Sequence, residues 1–253
     1  MPVLRAELID YLDTLLNAKQ IKDYCPNGLQ VEGKQEIQKI VTGVTASEAL
    51  IDAAIEQGAD AILVHHGYFW KGEAYPIVGM KKNRIGKLIQ NEISLIAYHL
   101  PIDVHSELGN NAQIGKLLAL SNVRPALEFA PEGIIMLGEY DEPKSIDDVA
   151  NDIDVALNRE PLVSDARQQK VKSLAWCTGG GQSYIDQVAE LGVDLFITGE
   201  ASEQTIHSSR ELGIDFIAAG HHATERYGVK MVGEHLAEKF GLNVQFVDIH
   251  NPV

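Results

Sequence analysis

The run Asp60-Ala61-Ile62-Leu63-Val64 passes without a polar interruption into His65-His66. A strand of that kind keeps no polar face for solvent, so both its faces must be covered, as in the interior of a parallel sheet. Its neighbours fit such a sheet. Ile37 to Val44 reads as a strand, and Thr45 and Glu48 have capping-box spacing for a helix that Gly58 closes. A loop with Gly67, Gly72, Pro76 and Gly79 leads to a helix from about Lys81 to Gln90, and the strand Ile93 to Tyr98 ends at His99. This β-α-β-α-β rhythm predicts parallel strands joined by helical crossovers. Upstream, Leu4, Leu8, Tyr11, Leu12, Leu15 and Leu16 recur at helical spacing, and turn residues cluster at Asp23-Tyr24-Cys25-Pro26-Asn27-Gly28.

The second half repeats the rhythm: strand Lys172 to Thr178, helix Tyr184 to Leu191, strand Asp194 to Thr198, helix Glu203 to Leu212, and strand Asp215 to Ala219 ending at Gly220-His221. EQGADAILVHHG parallels ELGVDLFITGEA, with Gly58 on Gly192 and Asp60 on Asp194; LIAYHLPID parallels FIAAGHHATE, with Gly115 and Gly233 in the helices that follow. The expected fold is α/β, with two similar units from an internal duplication, residues 1–124 and 125–253. Residues from about Pro125 to Lys170 add a strand at Ile134 to Leu137 and a helix capped at Ser145.

Composition narrows the class. The 253 residues, 45% hydrophobic, can bury a core. Twenty-one basic against 36 acidic residues give a formal net charge of -15, which argues against nucleic-acid binding by the overall surface. Cys25 and Cys177 form no CxxC pair, so neither a disulfide framework nor a thiolate zinc site is supported. With no signal-peptide pattern and no apolar run of membrane-spanning length, a cytoplasmic protein with no membrane partner is expected.

The chemistry-bearing residues fall at the carboxyl ends of strands, where parallel α/β sheets place ligands. They are His65-His66, His99 with Asp103, Glu200, and His221-His222 with Glu225. A lone strand-end histidine is most often a hydrogen-bonded structural residue, but five of the nine histidines occupy these positions. Imidazole nitrogens with carboxylate oxygens suit zinc, iron, manganese or nickel. Adjacent side chains of an extended strand point oppositely, so His65 and His66 are expected to serve two ions, bridged by a carboxylate such as Asp103 or Glu225. Water between ions about 3.5–4 Å apart would be acidified for attack. His105, His207, His235 and His250 default to surface or core roles.

Two further features border these positions. The turn Thr178-Gly179-Gly180-Gly181-Gln182-Ser183 joins a strand to a helix. It either presents backbone N–H groups to a phosphate or merely allows tight packing. It lacks the Gly-Lys-Ser/Thr ending of a P-loop. Tyr68-Phe69-Trp70-Lys71 either packs the site wall or stacks a purine or pyridine ring, with Lys71 at a phosphate.

The segments YCPNGLQVEG, VHHGYFWKG, AYHLPIDVHSELGNNAQIG, CTGGGQSYI, TGEASEQ and GHHATERYGV resemble those of the Nif-three-like family, whose members are also called GTP cyclohydrolase 1 type 2 homologues, and the chain is similar to its YbgI-type bacterial members. The resemblance spans nearly the whole chain. It implies intertwined units, a dinuclear metal centre in the cleft between them, and a toroidal homohexamer built as a trimer of dimers. It also implies ligands at His65, His66, Asp103, His221 and Glu225, with His99 beside them.

The leading expectation is a metal-dependent hydrolase of a nucleotide-like or other phosphate-bearing small molecule. Two divalent ions would be its cofactors, Glu200 or His99 its general base or acid, and Gly179, Gly180 and Gly181 its phosphate contacts. The alternatives are a non-catalytic metal-binding or metal-delivery ring, and a ring acting on nucleic acid or damaged nucleotides.

Overall fold

The computed structural model describes residues 2–253 and divides into two compact units. The first takes the chain as far as Ile102 and again from Arg226 to His250. The second takes Asp103–Glu225 and Asn251–Val253.

The first unit holds a five-stranded sheet in the order Asn243–Phe246, Lys39–Thr45, Ala61–His66, Ser94–Ala97, Gly28–Val31. The first four strands run parallel, and Gly28–Val31 lies antiparallel at the edge. Successive residues of a strand face opposite sides, and two neighbours on the second strand show what covers each side. A Cβ on Gly43 would sit 2.7 Å from the Leu50 methyls, on helix Glu48–Glu56. On helix Arg226–Phe240, a Cβ on Gly233 would sit 2.8 Å from the Thr42 methyl. Helices therefore pack on both faces, which is why Ile62, Leu63 and Val64 can all be fully buried. Each such side chain contributes about 1.5–3 kcal/mol relative to exposure.

The second unit holds a six-stranded sheet, ordered Ser121–Pro125, Met136–Lys144, Val171–Trp176, Leu195–Thr198, Asp215–Ala218, Leu162–Ser164. Its three central parallel strands are flanked by antiparallel ones. Trp176, Phe196 and Phe216 are buried, and the Trp176 indole donates to the Asn111 carbonyl at 2.8 Å. Helices Ile146–Leu157 and Glu203–Leu212 start at Ser145 and Ser202, whose hydroxyls accept from the third helical residue's N–H.

The two units share one hydrogen-bonding device. In the first, Asp60 Oδ2 accepts from the N–H groups of Gln38 and Lys39, each at 3.0 Å. In the second, Asp194 Oδ2 accepts from Lys172 and Ser173, at 2.9 and 2.8 Å. Each carboxylate thus ties the start of one strand to the start of its neighbour. Burial alone would raise both carboxyls, but these hydrogen bonds, with Lys34 at Asp60 and Arg167 at Asp194, hold both below the ordinary value.

Local details differ from the sequence expectations. The helix after the second parallel strand is capped by Ser47, whose hydroxyl accepts from Leu50 N–H, and not by Thr45, the last residue of the strand. Ile134 lies outside the strand that begins at Met136, its N–H spent on the Pro131 carbonyl. Among the described residues, no helix is long and apolar enough to cross a membrane.

Candidate metal centre

In the first unit, strand Ala61–His66 delivers His65 fully buried and His66 partly exposed. Their ring centroids lie 4.5 Å apart, and His99 lies 4.9 Å from His65 and 5.7 Å from His66. The three histidines offer nitrogens within 4.8 Å of one another. The expectation that His65 and His66 point oppositely is therefore not met. Pairing with Ser94–Ala97 ends at Val64, while pairing with Lys39–Thr45 continues on the other side as far as His66.

Hydrogen bonds select the tautomers. Nδ1 of His65 lies 3.3 Å from the Tyr98 carbonyl, which only accepts, so the proton resides on Nδ1 and Nε2 carries the free lone pair. His99 Nδ1 lies 3.0 Å from Asp23 Oδ1, and His99 N–H donates to Asn27 Oδ1. Burial would raise the Asp23 carboxyl, but the hydrogen bond and charge of His99, with Asn27, bring it down to about 2. Asp23 is thus an acceptor at neutral pH, holding His99 with Nε2 outward. His66 Nδ1 meets Thr45 Oγ1 at 3.1 Å. Asp23, Asn27 and Thr45 were not among the candidates from sequence. Only the turn composition of Asp23–Gly28 marked that loop. Cys25, with Asp23 and His99, forms a second group of donors within 4.8 Å.

In the second unit, Asp103 sits 4% exposed on the short helix Leu100–Val104. Its Oδ1 accepts from Asn110 Nδ2 at 2.8 Å and from the Thr178 hydroxyl at 3.2 Å. His221 opens the helix His221–Thr224 after Gly220, whose φ of 99° suits glycine alone. Its Nε2 lies 3.2 Å from Glu225 and its Nδ1 2.6 Å from Glu200, whose other oxygen accepts from Gln182 Nε2 at 3.0 Å. Burial would lower the His221 pKa, but Glu225 and Glu200 lift it to about 9. Burial pushes the Cys177 thiol up, with Asp103 and Glu225 adding to the effect, so it is no thiolate donor.

The glycine turn is shaped first by packing. Gly179 has φ +66°, and a Cβ there would lie 2.1 Å from Glu225 Oε1. Its N–H donates to Thr224 Oγ1 and that of Gly181 to Thr198 Oγ1, both at 3.0 Å. Gly180 alone has room: a Cβ there would meet only ordinary contacts with Gln182, Glu200 and His221. The remaining histidines behave structurally where bonds are seen. His105 Nδ1 accepts from the N–H groups of Glu107 and Leu108, and His235 Nε2 pairs with Tyr11 OH.

These donors are all nitrogen and oxygen apart from Cys25; partners that only accept set the tautomers of His65 and His99, and His65, His99, Asp103 and Glu225 are buried. They fit a hard or borderline divalent cation.

Known proteins resemble the chain over its whole length. It is 57% identical over 247 residues to a protein of Haemophilus influenzae named GTP cyclohydrolase 1 type 2 homolog, covering 97% of this chain and 98% of that one. It is 52% identical over 252 residues to the Pseudomonas aeruginosa protein of the same name, covering all of both. Among solved structures, protein ybgI, described as of unknown function, superposes with a TM-score of 0.95 at 52% identity, covering 99% of this chain and 100% of that one. Residues 3–252 match the Duf34/NIF3 (NGG1p interacting factor 3) family, and the chain belongs to that family.

Proposed function

We propose that His65, His66, Asp103, His221 and Glu225 hold two divalent ions, and that the protein is a metal-dependent hydrolase of a nucleotide-like or other phosphate-bearing small molecule. The observation that carries the proposal is the tautomer lock on His65, whose Nδ1 faces the Tyr98 carbonyl inside a group of three histidines. A buried imidazole held that way is prepared to ligate, since the second nitrogen must face the site as a lone pair. Bound there, two divalent cations would supply Lewis acidity and bring a coordinated water toward neutral pKa.

The chain's own groups then divide the remaining work. Glu225 and Glu200 hold His221 between them. Glu200, about one-third exposed, is also placed to exchange a proton with solvent or substrate, as is His99 through its Asp23 pairing. The Gly179–Gly181 turn is proposed to receive a phosphate at Gly180, where space remains. The names of the two bacterial relatives favour a nucleotide-like substrate.

We further propose that the units arose by duplication and assemble as a toroidal homohexamer in the cytoplasm. The matching Asp60 and Asp194 devices support the duplication. So does the antiparallel strand that closes each sheet beside its last parallel strand, Ser94–Ala97 in the first and Asp215–Ala218 in the second.

The test is metal analysis of the purified protein, followed by a hydrolase screen of nucleotides and phosphoesters with zinc, iron, manganese or nickel restored. Turnover should vanish in His65→Ala while thermal unfolding of the ion-free proteins stays alike. Equal turnover by the two would refute the assignment.

A further inference from the structure

The geometry points to a ring-stacking subsite, formed by Tyr24 and Trp70 beside the histidines of the first unit, for a planar heteroaromatic ligand of the nucleobase or pyridine class. It rests on the function proposed above for its chemistry, although not for the binding itself.

The Trp70 ring lies 5.0 Å from His99, nearly perpendicular to it, and 5.8 Å from His66. Tyr24 lies 5.0 Å from His99 and 5.8 Å from Trp70. Core packing does not account for the pair, because Tyr24 is 54% exposed and Trp70 only partly covered. Aromatic surface is thus presented to solvent beside the candidate ligands.

The backbone is strained to achieve this. Phe69 has φ +67°, a region that bulky aromatic residues rarely enter. Such strain persists where the surroundings over-determine it, and it gathers at functional sites. Here Gln30 grips Tyr68 twice, accepting from its N–H at 2.7 Å and donating to its carbonyl at 3.1 Å. The Trp70 indole donates to the Gly67 carbonyl at 3.1 Å, and its backbone N–H to Glu73 at 3.0 Å. Lys71 N–H donates to the Tyr24 carbonyl at 2.9 Å, tying the two aromatic loops together. The Trp70 ring and the Tyr24 backbone are held in place before any ligand arrives, which lowers the ordering cost of stacking.

Stacking accepts any flat π-face, so the subsite selects rings over ring-free phosphates without choosing a particular base. Exposed Lys71, next to Trp70, adds a cation suited to a phosphate on the same ligand.

The chain has two tryptophans, and Trp176 is 1% exposed in the second unit, so ligand-induced quenching reports on Trp70. The full-length protein is titrated with AMP, GMP, CMP and nicotinamide mononucleotide, and with ribose 5-phosphate as the ring-free control. Ring-bearing probes should quench saturably and bind about tenfold more tightly than the control. Trp70→Phe should lose the quenching while equilibrium dialysis still detects binding. Tyr24→Ala should weaken binding about tenfold and Tyr24→Phe leave it near wild type. Equal affinity for ring-bearing and ring-free probes, no binding of any probe, or wild-type binding by Tyr24→Ala overturns the subsite. Metal content of the same samples separates the two proposals. Bound ions without ring preference remove the subsite alone, and ring-dependent binding to protein that takes up no ions removes the dinuclear centre alone.

Discussion

Asp23 Oδ1 lies 3.0 Å from His99 Nδ1, while Asp23 Oδ2 accepts from Leu100 N–H at 3.0 Å and from Asn27 Nδ2 at 3.1 Å. Both oxygens are therefore acceptors, a pattern that a carboxylate satisfies and an amide cannot. Asp23→Asn must turn its NH2 group toward a donor, and His99 loses the partner that fixes its tautomer. Outer partners of this kind are worth about 10–100-fold in activity. With metal restored, turnover by Asp23→Asn should show a loss of that size while metal content stays at the wild-type level, and unchanged turnover would remove His99 as the acid or base.

Gly179→Ala should perturb both stability and the candidate ligands. The added Cβ would fall 2.1 Å from Glu225 Oε1 in a left-handed backbone. Gly192 provides the control, with φ +71° and nothing within 4 Å of its would-be Cβ. Denaturant unfolding should place Gly192→Ala about 1–2 kcal/mol below wild type, the cost of the backbone conformation alone. Gly179→Ala should fall further and bind less metal. Equal losses in the two variants would mean that Glu225 simply moves aside.

The paired strand anchors make a pH prediction. Asp60 and Asp194 titrate lower in the folded protein than in the unfolded chain. Their stabilisation is thus present above the unfolded carboxylate value, near 3.9, and is lost as pH falls through the lower folded value. Asp60→Asn and Asp194→Asn should each cost about 1.5–3 kcal/mol at pH 7, the range for hydrogen bonds to a charged group. Urea titrations should show the gap to wild type constant from pH 6 to 8 and shrinking below pH 4. A gap that widens in acid would contradict the linkage.

Asn111 is a buried joint of the second unit. Its amide donates to the Gly133 and Ile134 carbonyls at 2.8 and 3.2 Å, and its Oδ1 accepts from Thr178 N–H at 3.0 Å. Asn111→Ala leaves three backbone groups unsatisfied in the interior and should cost about 2–4 kcal/mol. Because the Thr178 hydroxyl donates to Asp103, metal uptake should fall as well. Wild-type stability would show that water replaces the amide.

The sequence alone disclosed the strands whose burial leaves no choice. Ala61–Val64, Ser94–Ala97, Leu195–Thr198 and Asp215–Ala218 are buried and apolar but for Ser94, Thr198 and Asp215, and that burial is the physical reason they read as parallel strands. The histidines that follow them were legible for the same reason, since strand ends in such sheets are where side chains leave the core. Tertiary structure alone decided how those side chains are held. Asp23 meets His99 across 76 positions, Thr178 meets Asp103 across 75, and Tyr98 sets the His65 tautomer across 33. Strand Asn243–Phe246 likewise returns to pair with Lys39–Thr45, a register that no local periodicity encodes. Hydrophobic patterning is local and repeats along the chain, whereas a hydrogen bond depends on two atoms meeting after folding, and nothing in the spacing of their residues announces it.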